Sequence, residues 1–134
     1  MNRCASAAMA AVTIAFACDR GISPTLAMNA TFDLRSINGR SLPYDTTRGT
    51  ARLHITSDVL VLRDDGAYED STTYAFSANR TRQVSTAIER GRYGASGSSI
   101  WFVDQTHGDR YVGSLRGGTL THSVNGNTSR YERR

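Results

Sequence analysis

Gly108-Asp109-Arg110-Tyr111-Val112-Gly113-Ser114-Leu115-Arg116-Gly117-Gly118-Thr119-Leu120-Thr121-His122-Ser123-Val124-Asn125-Gly126 is the stretch that decides the fold. On either side of Gly117-Gly118, apolar or small residues alternate with polar ones, the pattern of two half-buried strands joined by a two-residue hairpin turn. The same grammar governs everything after residue 65, where Asp65-Gly66, Ser96-Gly97, His107-Gly108 and Asn125-Gly126 punctuate short strand candidates. Consecutive hairpins build an antiparallel meander, and a meander loses its unpaired edges by closing into a barrel.

Working outward, the last four strands are expected at Ser99 to Asp104, Asp109 to Arg116, Thr119 to Val124 and Thr128 to Arg133. Period two points Ile100 and Phe102, then Tyr111, Gly113 and Leu115, then Leu120, His122 and Val124, and finally Tyr131 inward, with Trp101 facing out. Upstream, Asp64-Asp65-Gly66 opens a strand that aligns Tyr68, Asp70, Thr72, Tyr74 and Phe76 on one side. Rings mixed with hydrogen-bonding groups suit a cavity lining, or a barrel mouth with only the rings buried. In Thr81 to Ala95 the parity of Val84, Thr86 and Ile88 opposes that of Tyr93 and Ala95, so a bulge is expected, with Gly91 as its site. Phe32, Leu34 and Ser36 share a face of Thr31 to Ile37, and Asn38-Gly39 then turns the chain into a loop running from Leu42 toward Gly49. Two further strands are expected at Thr50 to Thr56, with Ala51, Leu53 and Ile55 inward, and at Val59 to Leu62, apolar on both faces. The expectation is all-β: an antiparallel up-and-down meander of nine candidate strands, eight or nine of which close into a barrel.

The first seventeen residues read differently. One charge in Met1-Asn2-Arg3 precedes a run of small and apolar residues from Cys4 to Ala17, ended by Asp19 and Arg20. That run is too short for a resident membrane span and fits a secretory signal peptide over 1–17. Residues 18–29, with Gly21, Ser23, Pro24 and Thr25, read as a flexible tether, and 30–134 as the single barrel domain. Of the two cysteines, Cys4 lies in the signal, so an exported chain keeps at most Cys18 and forms no internal disulfide. Three fates are open to Cys18: lipid attachment; a soluble chain after an ordinary cut at Ala15-Phe16-Ala17 or a later one after Thr25-Leu26-Ala27, which removes the cysteine; or persistence as a structural free thiol.

Every basic residue is Arg, sixteen against twelve acids. Without Arg3 the charge is about +3, dispersed along the chain. Dispersed charge on an exported chain describes a solvated exterior and argues against a nucleic-acid partner. His54, His107 and His122 lack metal-ligand spacing, no serine sits in a nucleophile elbow, and Asp64-Asp65-Gly66 lacks the further ligands of a calcium loop. Neither a catalytic constellation nor a metal or cofactor site is expected.

Ala15-Phe16-Ala17-Cys18 resembles a bacterial lipobox, in which cleavage leaves a cysteine carrying acyl chains. Phe32-Asp33-Leu34-Arg35-Ser36-Ile37-Asn38-Gly39-Arg40-Ser41-Leu42-Pro43, the Leu60-x-Leu62-x-x-Asp65-Gly66-x-Tyr68 segment, and Arg90-Gly91-x-Tyr93-x-x-Ser96-Gly97-x-x-Ile100 resemble the small lipocalin-like domains of bacterial envelope lipoproteins. The lipocalin Gly-x-Trp signature is absent, with Phe32 where its tryptophan would stand. The resemblance implies a lipocalin-like barrel in the cell envelope, periplasmic or at the outer surface, joined to the membrane through lipidated Cys18.

Two functions follow as expectations. The first is a monomeric barrel holding a small apolar or amphipathic ligand against Tyr68, Tyr74, Phe76, Tyr111 and His122. The second is a filled barrel that engages or inhibits another envelope component. If Cys18 carries lipid, the protein partitions into detergent from its own bacterium, and Cys18→Ser shifts it to the soluble fraction. An unchanged distribution would remove the anchor.

Overall fold

The computed structural model describes residues 28–134. The expected signal peptide, Cys18 and all of the expected tether but its last two residues lie outside the described residues. Ten strands follow one another: β1 Ala30–Ile37, β2 Arg40–Ser41, β3 Tyr44–Arg48, β4 Ala51–Leu62, β5 Ala67–Ala78, β6 Thr81–Ser96, β7 Ser99–Asp104, β8 Arg110–Arg116, β9 Thr119–Val124 and β10 Asn127–Arg133. Every pairing is antiparallel. From β4 to β10 each strand bonds the next, and β1 closes the circle by pairing with β10 on one side and β4 on the other. Eight strands therefore form the barrel, while β2 and β3 are short additions to β1 and β4.

Local chemistry sets the turns. Asn38-Gly39, Gly117-Gly118 and Asn125-Gly126 all have positive φ at both residues, the geometry that matches the twist of a two-residue hairpin. The Asn38 side chain ties this corner to the far end of the chain, accepting the Thr128 N–H at 2.8 Å and donating to Asn127 Oδ1 at 2.9 Å.

Several local expectations are corrected. The segments read as two strands at Thr50 to Thr56 and Val59 to Leu62 are one strand, β4, with a register shift between Ile55 and Ser57. That bulge keeps Ile55 and Asp58 on the same inward face, so a single strand serves both runs. A second shift between Leu34 and Ser36 in β1 turns Ile37, rather than Ser36, toward the core. The stretch read as a loop from Leu42 to Gly49 contains β3, beyond a cis Leu42–Pro43 bond.

Gly91 marks no bulge. β6 pairs β5 without interruption from Ala67↔Arg92 to Ala78↔Thr81, so Glu89, Gly91, Tyr93 and Ala95 share the inner face while Val84 and Ile88 stand exposed outside. Glycine is required because a Cβ at this position would sit 2.0 Å from the Val103 carbonyl oxygen and 2.6 Å from the Tyr68 ring. Outside the wall, the Trp101 ring lies flat over Gly94 in the same way, with only 2.2 Å left for a Cβ.

The core occupies the upper barrel, the end where β1 begins. Phe32, Leu60, Leu62, Tyr68, Ile100, Phe102, Leu120 and Tyr131 are each no more than 2% exposed. Phe102 is central, edge-on to Tyr68 at 5.2 Å and stacked on Tyr111 at 5.0 Å. Met28 and Asn29, the last two residues of the expected tether, belong to the folded unit. The Tyr93 hydroxyl accepts the Met28 N–H at 2.8 Å and lies 2.7 Å from the Arg63 carbonyl, while Asn29 donates to Asp64 at 3.0 Å.

Gly91→Ala is expected to destabilise the barrel by about 1–3 kcal/mol, the usual cost of overpacking, because the clash is with backbone. Chemical denaturation checks this; a loss below about 0.5 kcal/mol would mean the β6–β7 wall yields there.

Candidate functional site

Below the apolar core lies a polar layer inside the barrel. Inner-face positions of three adjacent strands carry acids: Asp58 on β4, Asp70 on β5 and Glu89 on β6, with Asp70 directly opposite Glu89 and Asp58 opposite Thr72. Across the barrel, β8, β9 and β10 present Tyr111, His122 and Tyr131. Strand register alone brings these residues, far apart in the chain, into one layer.

Tyrosine hydroxyls reach one oxygen of Glu89 and one of Asp58. Tyr68 donates to Glu89 Oε1 at 2.5 Å and Tyr111 donates to the same oxygen at 2.9 Å. Asp58 Oδ2 accepts from Thr72 at 3.0 Å and from Tyr131 at 3.3 Å. Burial pushes the pKa of all three tyrosines far up, so they remain neutral donors at any physiological pH. Three polar atoms in the layer are buried and unpartnered: Asp58 Oδ1, Asp70 Oδ1 and His122 Nδ1. Burial, and then the adjoining Asp58 carboxyl, hold the Asp70 pKa well above the ordinary carboxylate range. His122 is pushed down by burial, against the pull of Asp58 and Glu89, and stays a neutral ring between Tyr111 at 5.1 Å and Tyr131 at 5.5 Å.

A gap in the wall leads to this layer. β1 and β4 pair only from Ala30↔Leu62 to Asp33↔Val59; below that, β1 takes β2 and β4 takes β3. The resulting lateral cleft has a volume of about 680 Å³, with Leu34, Leu42 and Val59 among its apolar walls and the buried Asp58 among its lining residues. Charges at its rim cancel. Arg134 pairs with Asp33 at 2.8 Å, and Arg35 lies 3.5 Å from Glu132.

Of the five residues expected to line a ligand cavity, Tyr68, Tyr111 and His122 meet in the interior, where their rings pack on Phe102 and fill the barrel. Tyr74 and Phe76 share their face of β5 but sit lower, beside Ser85 and Gln83 on the part of the β5–β6 hairpin that extends past β7. Phe76 is 42% exposed. Asp58 and Glu89 escaped the sequence reading. Asp58 stood in an apparent gap between two strands, and Glu89 was hidden by the bulge assigned at Gly91, although its parity with Tyr93 and Ala95 places it inward.

The other two histidines serve local pairs. His54 Nδ1 lies 2.9 Å from Asp45, which Arg52 also approaches at 3.1 Å, on the outer face of the extension. Asp104 accepts the N–H groups of Thr106 and His107 and lies 2.7 Å from His107 Nδ1, fixing the β7–β8 turn. Among the described residues no three His, Cys, Asp or Glu are grouped so as to hold a metal ion. No family model, curated protein or solved structure matches the chain.

Asp70 sets a testable pH dependence. Unfolded, its carboxyl loses its proton near the ordinary 3.8; folded, it keeps the proton to higher pH. Folding therefore takes up a proton in that window, and stability falls as pH rises through the folded value. An Asn amide donates to Asp58 without needing a proton. Asp70→Asn is thus expected to gain about 1–3 kcal/mol at pH 7, the cost of a buried unsatisfied group, and to show no such gain near pH 4. Denaturation of both proteins across pH 4 to 8 checks it, and a pH-independent difference would contradict it.

Proposed function

We propose that this chain is an extracytoplasmic barrel, lipid-anchored through Cys18 in a bacterial cell envelope, that binds one small amphipathic molecule as a monomer without catalysing a reaction. The lateral cleft carries this reading. It is of ligand size, combines apolar walls with hydroxyls and carboxyls, and is lined in part by a buried acid with a free oxygen. The ligand's place accordingly moves from the aromatic interior, which is packed, to the opening between β1–β2 and β3–β4. The lipocalin-like sequence features support the envelope address, and the dispersed charge supports a role without nucleic acid.

A second reading, an interaction or inhibitor protein, has its own observation. The lower part of β6 has no ladder partner on the side away from β5, and its outward Val84 and Ile88 are 67% and 50% exposed. An unpaired strand edge with exposed apolar side chains is a docking element.

A panel of neutral, anionic and cationic fluorescent amphiphiles separates the two. At least one is expected to bind one-to-one. Leu42→Trp, which fills the cleft, should weaken it by roughly tenfold or more, while Phe76→Ala leaves it within about twofold. No binding by any member of the panel would favour the interaction reading.

A further inference from the structure

Three acids occupy the inner wall, and nothing cationic from the protein reaches them. Every Arg among the described residues is exposed. The groups around Asp58 and Asp70 are Tyr68 and Thr72 on β5, Glu89 on β6, Tyr111 on β8, His122 on β9 and Tyr131 on β10, all of them neutral donors, a further acid or a neutral imidazole. Asp58 is 8% exposed, and its Oδ1 has no hydrogen-bond partner. A buried acid oxygen without a donor is costly, so the site asks for a donor brought from outside.

We propose that the cleft binds a small organic cation, a primary ammonium or guanidinium on a short apolar body, whose N–H groups donate to the free oxygen of Asp58. The proposal rests on the ligand-binding reading above and names its substrate class. Three observations converge on it. The cleft reaches Asp58 among its lining residues, whereas Asp70, Tyr111, His122 and Tyr131 do not line it. Arg35 and Arg134 at the rim are engaged with Glu132 and Asp33, so the uncompensated negative charge lies inside. Leu34, Leu42 and Val59 suit an apolar body, and a carboxylate oxygen suits directed N–H donors. The proton that Asp70 keeps to higher pH lies beside Asp58 and disfavours a cation there, so proton and cation compete.

The test is calorimetric titration of the folded protein at pH 7.5 with butylammonium and butylguanidinium, alongside pentan-1-ol and pentanoate as neutral and anionic counterparts of similar size. At least one cation is expected to bind one-to-one, roughly tenfold or more tighter than the alcohol, with pentanoate weakest. Asp58→Asn should remove that preference, and affinity should fall as the pH is lowered toward 5. Ser57→Arg changes an exposed residue at the cleft and leaves the interior untouched, so it keeps the test decisive if Asp58→Asn unfolds; it should weaken the cations and leave the alcohol unchanged. Equal binding of alcohol and cation, or a cation affinity indifferent to both substitutions, overturns the cation assignment while leaving the cleft as a ligand site. Absence of binding by all four compounds and by the fluorescent amphiphiles overturns the ligand-binding reading itself.

Discussion

β1 divides one of its two sides between partners, and the rest of the molecule follows from that division. Its first four residues bond β4 and close the barrel; after Asp33 it turns that side to β2, while β4 turns to β3. Full-length pairing would have sealed the wall. Partial pairing closes the upper barrel over a dry aromatic core and leaves a slot below, at the depth of the polar layer. The bulge at Ile55/Ser57 matters for the same reason, since it returns Asp58 to the inward face at the slot.

The polar layer is stable because its donors are nearly all tyrosine hydroxyls. A tyrosine contributes apolar ring surface to the core and one directed donor at its tip, so the same side chain fills volume and satisfies an acid. Tyr68 and Tyr111 converge on Glu89, and Tyr131 and Thr72 converge on Asp58. Asp70 is left over. Having no hydroxyl donor for Oδ1, it keeps its own proton against Asp58 to higher pH, which makes the layer sensitive to pH.

The turns and the alternation of the second half were legible in the sequence because both are local. Gly117-Gly118 and Asn125-Gly126 admit two successive positive φ values, and Tyr111, His122, Leu120 and Tyr131 follow from period two. The errors arose where local parity was broken or mistaken. The bulges in β1 and β4 shift parity with no distinctive residue type to announce them, and Gly91 presented the usual sign of a bulge while serving as clearance for the Tyr68 ring. Closure by β1 onto β4 is a long-range pairing that no short window contains. The site depends on that pairing, so Asp58 and its cleft could not be read from the chain alone, whereas the fold class could.

The central claim is that Asp70, buried beside Asp58 inside the barrel, keeps its proton well above the ordinary carboxylate range. Carbon-detected NMR titration of the side-chain carboxyl groups tests this most directly. The account predicts that Asp70 titrates well above the ordinary carboxylate range, and that Asp58→Asn returns it toward ordinary behaviour. Titration of Asp70 near pH 4, unchanged by Asp58→Asn, would contradict it.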